Sequence, residues 1–160
     1  MAIDYFLLLD GIKGEAQDSK YPDEIDILSW SWGASQSGTT HAGSGSGSGK
    51  VSVQDFSLTK HMDKSSATLL QHCASGKHIK KGKFIARKAG DKPMEYFTLE
   101  LEDIIITHVS MGGHGSEDRT TESVTLNFAQ YHMKYAAQNA DGSRGKEVEH
   151  KFHIAQNKHG

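Results

Sequence analysis

The sequence feature that most constrains this chain is a two-residue apolar period that changes face partway along each long run. In Glu95–Val109, Phe97, Leu99 and Leu101 share one parity, and the pattern shifts at Ile104–Ile106. In Ser123–Tyr135, Val124, Leu126 and Phe128 share one face, then Tyr131, Met133 and Tyr135 take the other. Glu24–Gly33 moves from Ile25 and Ile27 to Leu28, Trp30 and Trp32, and Val51–Thr59 moves from Val51 and Val53 to Phe56 and Leu58. Side chains of a strand alternate between the two faces of a sheet, so a slip of one residue sends every later side chain to the opposite side. Repeated switches predict either barrel corners and bulges or strands covered on one face by the core and on the other by a neighbouring subunit.

Further strands are expected at Ile3–Leu9, apolar on both faces, at Lys83–Arg87, and at Val148–Ile154, where Val148, His150, Phe152 and Ile154 share a side. Asp10–Pro22 and Ser110–Thr121 read as polar connections, Gly90–Pro93 as a turn, and the Asp-Gly step in Asn139–Arg144 as a hairpin turn. One helix stands out, at about residues 63–75. Asp63 is its expected N-cap, Ala67, Leu69, Leu70, Cys73 and Ala74 form its apolar stripe, and Gly76 ends it. A helix this short needs a surface to lie on. The expected fold is mainly β: an antiparallel β-barrel of two packed sheets with one α-helix on its side or end. The 160 residues make one domain, residues 1–160. Ala34–Lys50 lacks any large apolar residue and reads as a long flexible hairpin loop.

A net charge of −2 argues against a nucleic-acid partner. The one basic cluster, His78–Lys83 with Arg87 and Lys88, is either a solvated strand face or a contact surface for an acidic partner. No apolar run approaches the ~20 residues that span a bilayer, so membrane insertion is not expected. The N-terminal stretch is too short and too acidic for a signal peptide, which predicts cytoplasmic synthesis. Cys73 is the single cysteine, so no intrachain disulfide can form. The ten histidines lack metal-ligand spacing, and no metal or other cofactor is expected. Gly43–Lys50 has neither a dinucleotide-binding nor a P-loop order of glycines, and its Gly-Ser-Gly letters come from a repeat with no helix after it. No catalytic constellation is present, and the chain is not expected to be an enzyme. Trp30 and Trp32 read as core or interface anchors.

Several segments together resemble the haemolysin-coregulated proteins (Hcp), the inner-tube proteins of the bacterial type VI secretion system. They are Asp4–Leu9 with Gly11 and Gly14-Glu15; Ile25-Asp26-Ile27 leading to Ser29–Gly33; Asp55–Lys60, Asp63–Ser66, Leu69-Leu70 and Ser75–Lys77; Arg87–Gly90; Tyr96-Phe97; Leu99–Asp103; and Glu122–Phe128 leading to Tyr135. Ala67 stands where many members carry proline, and residues 43–49 and the tail after Val148 match no family motif. The resemblance implies a homohexameric ring, rings stacked into a hollow tube, and ejection by sheath contraction without a signal peptide. Implied partners are further copies of the chain, the spike, sheath and baseplate components, and small secreted effectors held and chaperoned in the lumen. The assembly interface is expected at Ser35, Thr39, Thr40, His41, Ser44, Ser46, Tyr131, Met133 and Tyr135. Two rival functions remain: a small-ligand-binding barrel with an open interior, and a β-barrel enzyme with a histidine-held metal.

Overall fold

The computed structural model of the chain describes residues 2–38 and 50–160. Among them are eleven strands and one helix: β1 (Ile3–Leu9), β2 (Ile25–Ile27), β3 (Ser29–Ser31), β4 (Ala34–Ser35), β5 (Ser52–Val53), β6 (Phe56–His61), α1 (Ser66–Ser75), β7 (Ile79–Lys88), β8 (Met94–Gly112), β9 (Thr121–Gln138), β10 (Arg144–His153) and β11 (Lys158–His159). All pairings are antiparallel, in the order β11-β10-β9-β8-β7-β1-β2, and β6 joins β3 to β9. β2 and β3 are two halves of one path broken at Leu28. The first half pairs with β1 and the second with β6, so this path closes the sheet into a barrel. Leu28 itself is 48% exposed at the break, although its parity matched that of the tryptophans.

Side chains fill the barrel. Phe56, Phe84, Leu99, Leu101, Ile104 and Leu126 are fully buried. Trp30 stacks over Phe56 at 5.8 Å and over Phe97 at 5.3 Å, and packs on Phe84 at 4.9 Å. Among the described residues, large apolar side chains occupy the interior that a small-ligand barrel keeps open.

The face changes read from the sequence are corners built within the chain. At one level, β7, β8 and β9 each place two consecutive residues outward: Lys80-Lys81, Glu102-Asp103 and Ala129-Gln130. Ile79, Ile104 and Phe128 are buried on one side of this level, and Leu101 and Tyr131 on the other. Register is unchanged across it, so three strands bend together. Asp103 takes the left-handed conformation at the bend, with φ 55°. A second switch is a bulge in β8 between Ile106 and His108, which returns Val109 to the core side. β7 is longer than the expected Lys83–Arg87, because the outward pair Lys80-Lys81 hides the inward Ile79 and Gly82 from a simple alternation.

The helix lies against β8, shorter at its start than expected. Ser65, not Asp63, occupies the N-cap position, and it makes no side-chain cap bond. Asp63 instead accepts from the backbone N–H of Ser65 (2.8 Å) and from its hydroxyl (2.5 Å). The buried stripe is Ser66, Leu69 and the half-buried Cys73; Ala67, Leu70 and Ala74 face outward, Leu70 at 47% exposure. Gly76 closes the helix in the left-handed conformation, as expected. A buried charge cluster pins the start of the helix. The Lys60 side chain is fully buried and reaches Glu122, Asp63 (2.9 Å) and the His61 carbonyl (2.9 Å), while the Ser66 hydroxyl donates to Glu122 at 2.8 Å.

The connection from Asp10 to Glu24 is not a free polar loop. It folds across the outside of β1 and β7, burying Ile12 and Ala16 and covering Phe6 with Tyr21. Arg87 holds it down, donating to both Asp18 oxygens (3.0 and 2.5 Å) and to Asp4 (3.1 Å). The Arg87 guanidinium keeps the Asp18 carboxyl down at about 2. The Glu95 carboxylate accepts from Lys20 (2.6 Å) and from the Tyr21 hydroxyl. Burial opposes the charge on Glu95, but Lys20 and Tyr21 outweigh it and hold the carboxyl below its ordinary range.

Candidate assembly surface

β9 changes partner halfway. Its first half pairs with β6 inside the barrel, and its second half pairs with β10, which lies outside the closed ring of strands. The sheet therefore extends past the barrel while keeping its register. Residues that face one another across paired strands point to the same side, so the register defines rows on the inner face. One row is Tyr5, Ala86, Phe97, Tyr135 and Val148. Along it, Ala86 is fully buried, Phe97 is half-buried, Tyr135 is 45% exposed and Val148 is 66% exposed. The next row ends on Met133 and His150, and the one after on Tyr131 and Phe152. An apolar face continues outward from the core with progressively less of this chain covering it.

Tyr131, at the inner end of this face, is buried, and its hydroxyl bonds to His150 Nε2 at 2.9 Å. His150, Phe152 and His159 pack around it, with Phe152 and His159 centroids 4.9 Å apart. The β4–β5 hairpin stands opposite. Ala34, Gln36 and Val51 form its side of a groove of about 590 Å³ whose other wall is Tyr131, His150, Phe152 and His159.

The structure thus brings Tyr131, Met133 and Tyr135 to one face. Ser35 lies in β4, paired with Ser52, on the hairpin beside that face. Thr39, Thr40, His41, Ser44 and Ser46 lie outside the described residues. The sequence reading missed Val148 and the first residues of β10. The hairpin turn pairs Gln138 with Arg144, but a bulge between Arg144 and Glu147 shifts the register by one residue before Val148 meets Tyr135. The Asp-Gly turn announced the hairpin without announcing that bulge. Val148, read from the sequence as sharing a side with His150 and Phe152, lies on the exposed part of that face.

Among the described residues no three His, Cys, Asp or Glu side chains converge as a metal-binding group, and no helix is long and apolar enough to cross a membrane.

A family profile described as type VI secretion system effector, Hcp, matches residues 6–135. The protein hcp1 of Pseudomonas aeruginosa is 48% identical over 159 residues, 98% of each chain. The crystal structure of Hcp1 from Salmonella typhimurium superposes with a TM-score of 0.81 at 32% identity, covering 99% of both chains. A type six secretion system protein, 24% identical, shares the fold with a TM-score of 0.92, over 99% of this chain and all of that one.

Proposed function

The chain belongs to the Hcp family of type VI secretion, and from that premise we propose that copies of it close into a ring through the apolar face that β9 and β10 carry beyond the barrel. It is a tube subunit of the type VI secretion system, and the family is one whose rings stack. That role asks for rigid walls and self-complementary edges rather than a reacting group.

The observation that supports this ring contact is the outward loss of burial along the row Ala86, Phe97, Tyr135, Val148. An exposed aromatic and an exposed valine continuous with a core have the composition of an interface centre. A neighbour seated there would bury Tyr135, Val148 and the outer side of Met133, with the β4–β5 hairpin beside them. Residues 34–50, Ser35 included, would reach the same neighbour or the next ring. We take the ring to have six copies, exported by the type VI machine from the cytoplasm, with small effectors carried and chaperoned in its lumen and the spike, sheath and baseplate as its other partners.

The test is Tyr135→Ser combined with Val148→Ser. Both side chains are exposed in the single chain, so the double variant should cost that chain about 1 kcal/mol or less. Light scattering should show the ring replaced by smaller species. An unchanged ring mass would overturn the assignment of the interface to this face.

A further inference from the structure

The opposite face of the same sheet carries a different surface. Lys134 lies between Met133 and Tyr135 and therefore points away from the apolar side. Thr98 is paired with it across β8 and is buried. Around them runs an open groove of about 1180 Å³, bounded by the covering segment at Ser19-Lys20, by the 89–93 turn and by the 141–144 turn. Its walls carry Lys20, Lys83, Arg87, Lys88, Lys92, Lys134 and Arg144, against Asp91, Glu95, Asp141 and Glu147.

The partners of these charges decide what the groove attracts. Glu95 is engaged by Lys20 and Tyr21, Glu147 by Arg144 (2.9 Å), and Asp141 by the N–H and hydroxyl of Ser143 (2.9 and 2.6 Å). Arg87 is held by Asp18 and Asp4. Among the described residues, Lys83, Lys92 and Lys134 form no ion pair, and Lys88 meets only the Gln138 amide at 3.3 Å and the Tyr96 ring. Of the four wall carboxylates, Glu95 and Glu147 are paired with cations, Asp141 is held only by the neutral donors of Ser143, and Asp91 has no ion-pair partner among the described residues. Four ammonium groups without a carboxylate therefore share the concavity with two carboxylates without a cation. On a chain with net charge −2, seven cations against four carboxylates in these walls make a local excess of positive charge. Lys83, Lys88 and Lys134 are half-buried, which leaves their side chains less freedom than the exposed Lys92.

We propose that this groove binds a carboxylate-rich peptide segment of a partner protein. The groove is larger than the usual small-molecule pocket and rimmed by charge rather than lined by apolar groups, which suits an extended chain better than a compact ligand. No aromatic side chain lines it, so it offers unpaired bases nothing to stack on, and the interleaved carboxylates break any continuous track for a phosphate backbone. Single carboxylates spaced along a peptide can sit between those fixed negative charges. The groove lies on the face opposite Tyr135 and Val148, so its occupancy and ring closure are separable.

The test uses the full chain as it assembles and a fluorescein-labelled oligoglutamate peptide, read by anisotropy. The expected result is saturable binding that weakens as salt is raised. Lys83→Gln/Lys92→Gln/Lys134→Gln should weaken it by about tenfold or more, while Lys64→Gln/Lys77→Gln/Lys80→Gln, the same charge change outside the groove, should leave it within about twofold. Both variants should keep the ring mass and melting temperature of the parent, so a failure here leaves the tube reading untouched. The proposal is overturned if binding does not saturate, if the two variants weaken it equally, or if inorganic tripolyphosphate displaces the peptide at concentrations well below the peptide's own Kd.

Discussion

Replacing Lys60 by methionine probes the cluster that fixes the helix to the barrel. The Lys60 and Glu122 side chains are fully buried and Asp63 is 7% exposed. Methionine keeps most of the lysine's apolar stem and removes the charge. Asp63 retains the N–H and hydroxyl of Ser65. Glu122 retains only the Ser66 hydroxyl on Oε1, and its Oε2 already has no partner. Stranding a buried charge in this way costs about 3–5 kcal/mol. For a chain of this length that lowers the melting temperature by about 6–20 °C. The assay is urea and thermal unfolding at fixed protein concentration, because assembly couples to stability. Lys60→Met/Glu122→Met removes the stranded charge as well and should recover about half of the loss or more. A cost under about 1 kcal/mol for Lys60→Met, or a double variant no better than the single one, would refute the reasoning.

Other perturbations follow from the same packing. Gly82→Ala would place a Cβ 2.8 Å from Ile104 Cδ1 and 2.8 Å from Leu9 Cδ2 in the filled interior, so it should cost about 1–3 kcal/mol in urea unfolding. Trp30→Ala removes the ring that stacks on Phe56 and Phe97 and should cost about 3–5 kcal/mol, read by loss of the unfolding midpoint. Asp18→Asn should destabilise the chain at neutral pH. Because the Asp18 carboxyl is held down at about 2, from an ordinary value near 3.8, its contribution is complete above about pH 4 and is lost as pH falls through 2. The difference between parent and variant, followed by unfolding across that window, should therefore close toward pH 2. Deleting residues 41–48 should leave the melting temperature of the barrel nearly unchanged while weakening ring or tube assembly, as seen by light scattering.

The barrel was legible because its long strands state their own faces. Phe97, Leu99 and Leu101 followed by Ile104 and Ile106 reported a change of face before any partner strand was known, without choosing between a corner and a second packed face, and the same shift recurs at Phe128 and Tyr131. What composition concealed was burial without hydrophobicity. Lys60 and Arg87 look like surface residues until Glu122 and Asp18 arrive from distant positions, with Asp63 beside Lys60 in the chain, to neutralise them. Asp10–Pro22 reads as solvent-facing because its apolar anchors, Ile12, Ala16 and Tyr21, are few and follow no period, and an ion pair to β7 completes the hold. Helical spacing alone could not choose between Leu69 and Leu70, because only the line of β8 decides which of two adjacent leucines turns inward. At the assembly surface, Tyr131, Met133 and Tyr135 were readable as one face, whereas Val148 depended on a one-residue bulge.

The central claim is that this barrel is a building block of a ring. Size-exclusion chromatography with light scattering, followed by negative-stain imaging, tests it most directly. The account predicts a species of six times the 17.5 kDa of one chain, seen as rings with an open centre that stack end to end. A strict monomer at micromolar concentration would contradict it.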